Sequence, residues 1–150
     1  MAGLTIIVDI DGTIASIEHR QHWVRSKPKN WAAFYTNLQN DVPIVPVIEI
    51  IKNLWRDHNN TIIFCTGRGT EYREETEKWL SKHVFTTKNL YMRATGDYRD
   101  DTIVKKELLD QMRIDGFAPT ICFDDRNKVV KMWIEEGLFC LDVSNGKGDF

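Results

Sequence analysis

The sequence contains little cysteine and no long hydrophobic run. Its three cysteines, Cys65, Cys122 and Cys140, lack the spacing of zinc ligands. Each lies in an apolar, strand-like context, so we expect buried free thiols in a reducing cytosol; a disulfide between Cys122 and Cys140 requires that their strands be neighbours. No apolar run approaches the ~20 residues that span a membrane, and no signal-peptide pattern precedes the first strand. We therefore expect a cytoplasmic protein with no membrane partner.

The chain also has no large excess of positive or negative charge. The chain has 20 Lys and Arg against 22 Asp and Glu, which gives a net charge of −2 at pH 7. The molecule as a whole is therefore not an electrostatic nucleic-acid binder, and any attraction for phosphate groups has to be local. The phosphate-binding loop G-x-x-x-x-G-K-[ST] is absent too, because residues 145–148 (Asn-Gly-Lys-Gly) lack the first glycine spacing and the hydroxyl. We expect no kinase domain in this sequence.

Residues 4–13 carry the strongest pattern that is present. The β-branched run 6–8 is too short for a helix and is typical of a fully buried strand. It is followed by Asp9 and Asp11, and then by Gly12, which turns the backbone. Open α/β sheets bind ligands at the carboxyl ends of their strands. Because buried carboxylates need a compensating charge, we expect a cation here. The alternative is a pair of solvated acids that cap the next helix.

Strand and helix patterns alternate along the rest of the chain. A length of 150 residues and a hydrophobic content of 42% are ordinary for one domain, and we assign residues 1–150 to a single one. The alternation predicts a three-layer, Rossmann-like α/β fold with a mostly parallel five-stranded sheet. After the first strand we predict strands at 61–65, 88–93, 120–123 and 138–143, and helices from Pro43 to Trp55, after Thr70, from Asp101 and at 126–136. The apolar stripe of the helix that begins at Pro43 is predicted to be Val47, Ile50, Ile51, Leu54 and Trp55.

An insertion after the first strand, at about residues 15–42, shows no strand pattern and is predicted to form a small flap. Its best helical piece is 30–40, whose apolar face (Trp31, Phe34, Tyr35 and Leu38) we expect to pack rather than to stack on bases. The preceding residues 19–29 contain no acid and combine aromatic and basic side chains: Trp23, two histidines, Arg20, Arg25, Lys27 and Lys29. Such a segment suits a nucleotide or a single-stranded end, and an ordinary solvated helix face is the alternative.

Four elements are predicted to bring reactive side chains to one edge of the sheet. They carry Asp9 and Asp11, Thr66, Lys105, and Asp124 with Asp125. In a parallel sheet all carboxyl ends point the same way, so these positions can converge although they are far apart in sequence. Several carboxylates with one hydroxyl and one amine suit phosphoryl transfer with Mg²⁺, which prefers hard oxygen ligands.

These motifs resemble a known family. Asp-Ile-Asp-Gly-Thr (9–13), a strand that ends in Thr66, then Lys105 and a strand followed by Asp-Asp look like the haloacid dehalogenase (HAD) superfamily of phosphohydrolases. Further motifs resemble the 3′-phosphatase domain of phage-type polynucleotide kinase/phosphatases: Arg20 nine residues after Asp11, Thr-Gly-Arg (66–68), Asp101, Phe-Asp-Asp-Arg (123–126), Val-Val-Lys-Met-Trp (129–133) and the terminal Gly-Asp-Phe (148–150). The likeness covers essentially the whole chain.

The resemblance implies a catalytic role for four residues. Asp9 would be the nucleophile, forming an aspartyl-phosphate, and would also ligate Mg²⁺. Asp11 would be the general acid and then the general base, and would offer its backbone carbonyl to the metal. Thr66 would hydrogen-bond the transferring phosphoryl group, and Lys105 would neutralise its charge.

The resemblance also implies metal and substrate contacts. Asp124 would ligate Mg²⁺, and Asp125 would support the metal site. The positions that match the surroundings of the phosphate and the leaving nucleotide are Arg20, Gly67, Arg68 and Asp101.

Simpler interpretations exist for several of these residues. Thr66 could cap the following helix. Lys105 could form a solvated salt bridge with Asp101 four residues earlier. For Arg126 we favour an exposed position with no role. The four histidines lack ligand spacing and are expected at the surface: His19, His22, His58 and His83.

The leading prediction is a Mg²⁺-dependent phosphomonoesterase that removes 3′-phosphates from DNA or RNA ends, beside a separate kinase or ligase. The first alternative is a nucleotidase acting on the 5′- or 3′-phosphate of mononucleotides. A phospho-receiver domain is a distant alternative, because the phosphorylated Asp of such a domain normally ends the third strand, where this sequence has Met92-Arg93-Ala94. A catalytically silent module that binds nucleic-acid ends is the last.

Overall fold

A five-stranded parallel sheet forms the centre of the computed structural model, which describes residues 2–148. Asp149 and Phe150 of the Gly-Asp-Phe motif lie outside the described residues. The strands are β1 (Thr5–Val8), β2 (Ala15–Ser16), β3 (Val42–Pro43), β4 (Thr61–Gly69), β5 (Leu90–Arg93), β6 (Ile121–Asp124) and β7 (Phe139–Asp142). The helices are α1 (His22–Arg25), α2 (Trp31–Thr36), α3 (Val45–Arg56), α4 (Arg73–His83), α5 (Asp101–Ile114) and α6 (Asn127–Glu135), with 3₁₀ turns at Leu38–Asn40 and Thr70–Tyr72.

The order of the strands places β1 in the middle of the sheet. The order is β5-β4-β1-β6-β7, and every pairing in this sheet is parallel. The chain builds one half of the sheet from β1 through β4 to β5, and then returns to the other side of β1 with β6 and β7. Such a reversal opens a crevice at the carboxyl ends of the strands. Asp9 and Asp11 follow β1 at this point, and the predicted parallel α/β fold is confirmed.

Helices cover both faces of the sheet. Alternate side chains of a strand point to opposite faces, so Ile6 and Val8 enter one apolar cluster and Ile7 enters the other. The first cluster contains side chains of α3 and α4, and the second contains side chains of α5 and α6. The predicted three layers are therefore present.

The apolar stripe predicted for α3 is partly wrong. The predicted stripe comprises Val47, Ile50, Ile51, Leu54 and Trp55. Two of these side chains are exposed, Ile50 at 52% and Trp55 at 46%. Ile48 is buried instead. A helix on a sheet presents one face of about 100° to it, and Ile48 shares that face with Val47 and Ile51, whereas Ile50 points away.

The flap contains two short strands, which the sequence analysis missed. β2 and β3 pair antiparallel, with Ala15 opposite Pro43, and so close the base of the flap. Strands of two residues are too short to produce a visible alternation, and Pro43 belongs to β3 rather than to the next helix. The helix predicted at 30–40 is split into α2 and a 3₁₀ turn. Phe34 and Leu38 are buried as expected, but Trp31 is 48% exposed.

Two of the cysteines face each other across neighbouring strands. Cys122 of β6 lies opposite Cys140 of β7, and both are free thiols, as is the buried Cys65. None of the helices within residues 2–148 has the length and apolar character needed to cross a membrane.

Candidate active site

The backbone turns sharply after β1. Gly12 has φ +83°, and a Cβ built there would lie 2.0 Å from Oδ2 of Asp125, so glycine is required. The turn brings the buried Thr13 hydroxyl back to 3.0 Å from Oδ2 of Asp9 and 3.2 Å from Oδ1 of Asp125. Thr13 therefore ties the end of β1 to the end of β6.

We define the acidic cluster as Asp9, Asp124 and Asp125 together with Lys105. All four residues are buried, and carboxylate oxygens of the three acids lie within 4.8 Å of one another. Lys105 Nζ donates to Asp9 Oδ1 at 2.9 Å and to Asp124 Oδ2 at 3.0 Å. The structure thus brings together four predicted site residues from β1, α5 and β6. Lys105 has no ion pair with Asp101 in the described part of the chain, which removes the solvated salt bridge as an explanation of Lys105.

The acidic cluster has an excess of negative charge. Burial and the charge of Asp124 raise the pKa of Asp9 well above its ordinary value, although Lys105 opposes them. Burial and Asp124 also raise the pKa of Asp125, to about 6. Burial alone would lower the pKa of Lys105, but Asp124 and Asp9 raise it well above its ordinary value. The ammonium group of Lys105 contacts two of the three carboxylates, and its single positive charge does not balance the cluster.

The donor set of the acidic cluster fits a divalent cation. Three buried carboxylates offer hard oxygen ligands, and a second cation beside Lys105 would balance their charge. The residues that could hold it are Asp9, Asp124 and Asp125. The side chain of Asp11 does not belong to this group, so its expected contact with a metal depends on its backbone carbonyl and stays a prediction.

A second cluster lies on the other side of Asp11. We define the arginine cluster as Asp11, Asp41, Arg20 and Arg68. Arg20 Nη2 donates to Asp11 Oδ1 at 2.8 Å and to Asp41 Oδ2 at 2.7 Å. Arg68 Nη2 donates to the same two oxygen atoms at 2.6 and 3.0 Å. Both arginines are fully buried. Burial raises the pKa of Asp11, but Arg68 and Arg20 outweigh it and hold that pKa below its ordinary value.

Asp41 was not identified from the sequence. Asp41 is buried. Besides the two arginines, its carboxylate accepts a hydrogen bond from the ring Nε2 of His19 at 2.7 Å, and its backbone oxygen accepts one from Trp79 Nε1 at 3.0 Å. His19 lies at the surface as expected, but it is not without a contact. Asp41 sits in the irregular part of the flap, where no periodicity or motif marks a buried acid.

The end of β4 places Thr66 and Gly67. Thr66 is buried inside the strand, which continues to Gly69, and its hydroxyl accepts the backbone N–H of Arg68 at 3.1 Å. It therefore does not cap a helix. A Cβ at Gly67 would lie 2.7 Å from Oδ1 of Asp101, so glycine leaves room for that carboxylate.

Asp101 is held between two arginines that sequence analysis did not assign to the site. Arg93 Nη2 donates to Asp101 Oδ1, and Arg126 Nη1 donates to Asp101 Oδ2 at 2.9 Å. Arg126 is half-buried and contacts Asp101, so the expectation of an exposed residue is wrong. Trp133 was also missed: its indole N–H donates to Asp124 Oδ2 at 3.0 Å, and its place in Val-Val-Lys-Met-Trp was the available signal.

An open cleft of about 750 Å³ connects the two clusters with the solvent. Its floor includes Asp9, Asp11 and Lys105. Its lining also includes flap residues between 17 and 35, and residues between 93 and 101 from the loop before α5 and its first turn. The cleft therefore gives a bulky substrate access to the end of β1.

Comparison with known proteins identifies the class and then the family. Class C acid phosphatase from Bacillus anthracis has the same fold, with a TM-score of 0.62 over 93% of this chain and 66% of its own, at 14% identity. The chain has the HAD fold. Residues 4–150 match the family described as the phosphatase domain of polynucleotide kinase PNKP, and the chain belongs to that family. This assignment replaces the receiver-domain alternative.

Two relatives show the setting of such domains. The chain is 28% identical over 129 residues to a protein of Autographa californica nuclear polyhedrosis virus described as a bifunctional polynucleotide kinase/RNA ligase. The matched residues are 85% of this chain and 17% of the viral protein. A chain of a Pnkp1/Rnl/Hen1 complex is 33% identical with a TM-score of 0.82, over 100% of this chain and 48% of the other. This chain thus spans less than half the length of these relatives.

Proposed function

We propose that this chain is a Mg²⁺-dependent polynucleotide 3′-phosphatase that works through a phosphoaspartate at Asp9. The observation that carries the proposal is the position of Asp9. Its carboxylate is held by Lys105 on one oxygen and by Thr13 on the other, at the floor of an open cleft, and Asp11 follows two residues later. The family, whose relatives include polynucleotide kinase and ligase proteins, supports a nucleic-acid end as the substrate.

The first step forms the phosphoaspartate. A carboxylate oxygen of Asp9 attacks the phosphorus atom, and the bond between phosphorus and the 3′ oxygen breaks. Asp11 gives its proton to the leaving oxygen. Lys105 stabilises the negative charge on the transferring group, which is where phosphoryl transfer gains most from a protein. Mg²⁺ held by Asp9, Asp124 and Asp125 would screen the phosphate from these acids.

The second step hydrolyses the phosphoaspartate. Water attacks the phosphorus atom and gives a proton to Asp11, and the bond from phosphorus to the Asp9 oxygen breaks. Asp11 is therefore protonated at the end of the cycle, as it was at the start. Arg68 and Arg20 favour the carboxylate form of Asp11, which suits this second step. The proton for the first step can arrive with the substrate, because a phosphate monoester has a second pKa of about 6.

The buried arginines act on the reaction through Asp11. Neither Arg20 nor Arg68 is exposed to the cleft, and each donates to Asp11 and to Asp41. We therefore assign them as positioning residues for the acid and base, and not as residues that touch the phosphate. Thr66, Gly67 and Asp101 keep their proposed places around the phosphate and the nucleotide.

The test is phosphate release from an oligonucleotide that carries either a 3′- or a 5′-phosphate, with Mg²⁺ and with EDTA. We expect release from the 3′ end alone, dependent on Mg²⁺, and a loss of at least about 10⁴-fold in Asp9→Asn. A matched control is Asp142→Asn, because Asp142 also ends a strand of the sheet but is exposed. Equal or better turnover of 3′- and 5′-mononucleotides would contradict the polynucleotide assignment and identify a nucleotidase.

A further inference from the structure

Three aromatic rings, two from α2 and one from the 3₁₀ turn after β4, stack in a row along the cleft. Trp31 stacks on Tyr35 with ring centres 6.2 Å apart at 21°, and Tyr35 stacks on Tyr72 at 4.8 Å and 26°. All three rings line the cleft that contains Asp9. Trp31 is 48% exposed, whereas its neighbour Phe34 is 4% exposed and supplies the packing of α2. The indole of Trp31 is therefore available to a ligand in the cleft.

A fourth ring of the cleft belongs to the loop before α5. Tyr98 also lines the cleft and is 92% exposed, although it lies in a loop that the protein holds firmly. Arg93 donates to the backbone oxygens of Asp97 at 3.0 Å and Arg99 at 2.7 Å, on either side of Tyr98. The apolar surface of this exposed ring is in contact with water, and a ligand that covered the ring would gain the free energy of burying that surface.

Positive charge accompanies the rings on the flap side. Arg25 and Lys29 both line the cleft, and within residues 2–148 neither has a salt bridge to a carboxylate. The Lys29 ammonium lies 5.6 Å from the centre of the Trp31 ring. Exposed rings with unpaired cations are the combination by which proteins bind single-stranded nucleic acid, through stacking on bases and attraction for the backbone.

We propose that Trp31 and Tyr98 stack on the bases of the last nucleotides of a single-stranded 3′ end and so hold its phosphate over Asp9. This inference rests on the proposed 3′-phosphatase function and names the strand that the cleft takes. In a blunt duplex only the outer face of the last base pair is free, so the two rings cannot each stack on a separate base of the 3′ end. The aromatic face expected to serve packing alone is thus divided: Phe34 packs, and Trp31 binds.

The experiment compares three substrates with a 3′-phosphate: a single-stranded oligonucleotide, the same strand with its last two nucleotides abasic, and a blunt duplex. We expect Trp31→Ala and Tyr98→Ala each to raise KM for the single strand by about 5- to 150-fold, the range for one stacked base. The change in kcat stays within about threefold, because the rings do not touch the reacting atoms. With the abasic strand, the KM of wild type rises at least as far as that of either alanine variant, because both stacked bases are missing.

Conservative and distant substitutions separate stacking from folding. Trp31→Phe and Tyr98→Phe keep a ring and should restore KM to within about threefold of wild type. Trp55→Ala is the matched control, because Trp55 is 46% exposed on α3 and does not line the cleft.

Two outcomes would overturn the inference. One is an unchanged KM for the single strand in both alanine variants. The other is a wild type that prefers the blunt duplex or is indifferent to the missing bases. In either case, 3′-specific release by wild type would leave the proposed function standing, whereas no release from any 3′ end would reject the proposed function itself.

Discussion

Asp9 and Asp11 lie two residues apart at the end of one strand, but their surroundings differ in charge. Asp9 belongs to the acidic cluster, in which three carboxylates surround one ammonium group, that of Lys105, which donates to Asp9 and Asp124. Asp11 belongs to the arginine cluster, in which two carboxylates share two guanidinium groups. The first cluster lacks positive charge, and the second is balanced.

This difference decides the direction of the pKa shifts. Burial raises the pKa of both Asp9 and Asp11, because it disfavours a charged carboxyl group. At Asp9 the neighbouring Asp124 adds to that effect, and the pKa rises. At Asp11 the guanidinium groups of Arg68 and Arg20 outweigh it, and the pKa falls. We infer that the acidic cluster is built to receive a cation and a phosphate, and the arginine cluster to hold a side chain still.

Removing one charge from the balanced cluster is expected to have the largest effect on stability. Asp41→Asn keeps the shape of the side chain but leaves Arg20 and Arg68 with Asp11 as their one remaining carboxylate in the cluster. Breaking a buried ion pair from one side costs about 3–5 kcal/mol, because a charge stays buried without its partner. We expect the free energy of unfolding, measured by urea denaturation, to fall by about that amount.

The matched control is Asp110→Asn, since Asp110 pairs with Lys106 at 2.7 Å on the surface. Exposed pairs contribute about 0–1 kcal/mol, so this variant should remain close to wild type. A loss of less than about 1 kcal/mol in Asp41→Asn would show that water compensates the arginines and that the cluster is not a rigid support.

Adding a cation should stabilise the unbalanced cluster. At a Mg²⁺ concentration of ~100 times Kd, binding to the folded state contributes about 2.7 kcal/mol. For a domain of this size, each kcal/mol shifts the melting temperature by about 2–4 °C. We therefore expect a rise of about 5–10 °C in a thermal melt with saturating Mg²⁺, measured without substrate.

Variants on the two clusters make this measurement specific. Asp124→Asn should abolish most of the Mg²⁺-dependent rise, whereas Asp41→Asn should melt lower but keep the rise. If Mg²⁺ leaves the wild-type melting temperature unchanged, or shifts Asp124→Asn equally, the acidic cluster is not the metal site.

The acidic cluster could be predicted from the sequence because topology alone assembles it. Asp9, Lys105 and Asp124 are brought together by the carboxyl ends of neighbouring parallel strands and the start of α5, and the strand patterns already contained that arrangement. The same argument located Thr66 and Gly67 near the carboxyl end of the second predicted strand, although β4 continues to Gly69.

The arginine cluster could be predicted only in part, because it depends on how the flap folds back. Arg20 and Arg68 were marked by motif positions, but Asp41, which holds both, lies 21 and 27 residues from them in an irregular segment. No period of 2 or 3.6 residues marks such a position. Arg126 was misjudged for a similar reason, since its partner Asp101 comes from a different helix.

The smallest expected effect is at the edge of the balanced cluster. His19 Nε2 lies 2.7 Å from Asp41 Oδ1, but its side chain is 35% exposed and the two arginines already satisfy that carboxylate. His19→Ala should therefore cost about 1 kcal/mol of unfolding free energy, well below Asp41→Asn. His58→Ala, at an exposed histidine in the turn after α3, is the control and should change nothing measurable. A loss in His19→Ala as large as that in Asp41→Asn would mean that the two arginines do not satisfy Asp41 without the imidazole, and the arginine cluster would then have to be redefined to include it.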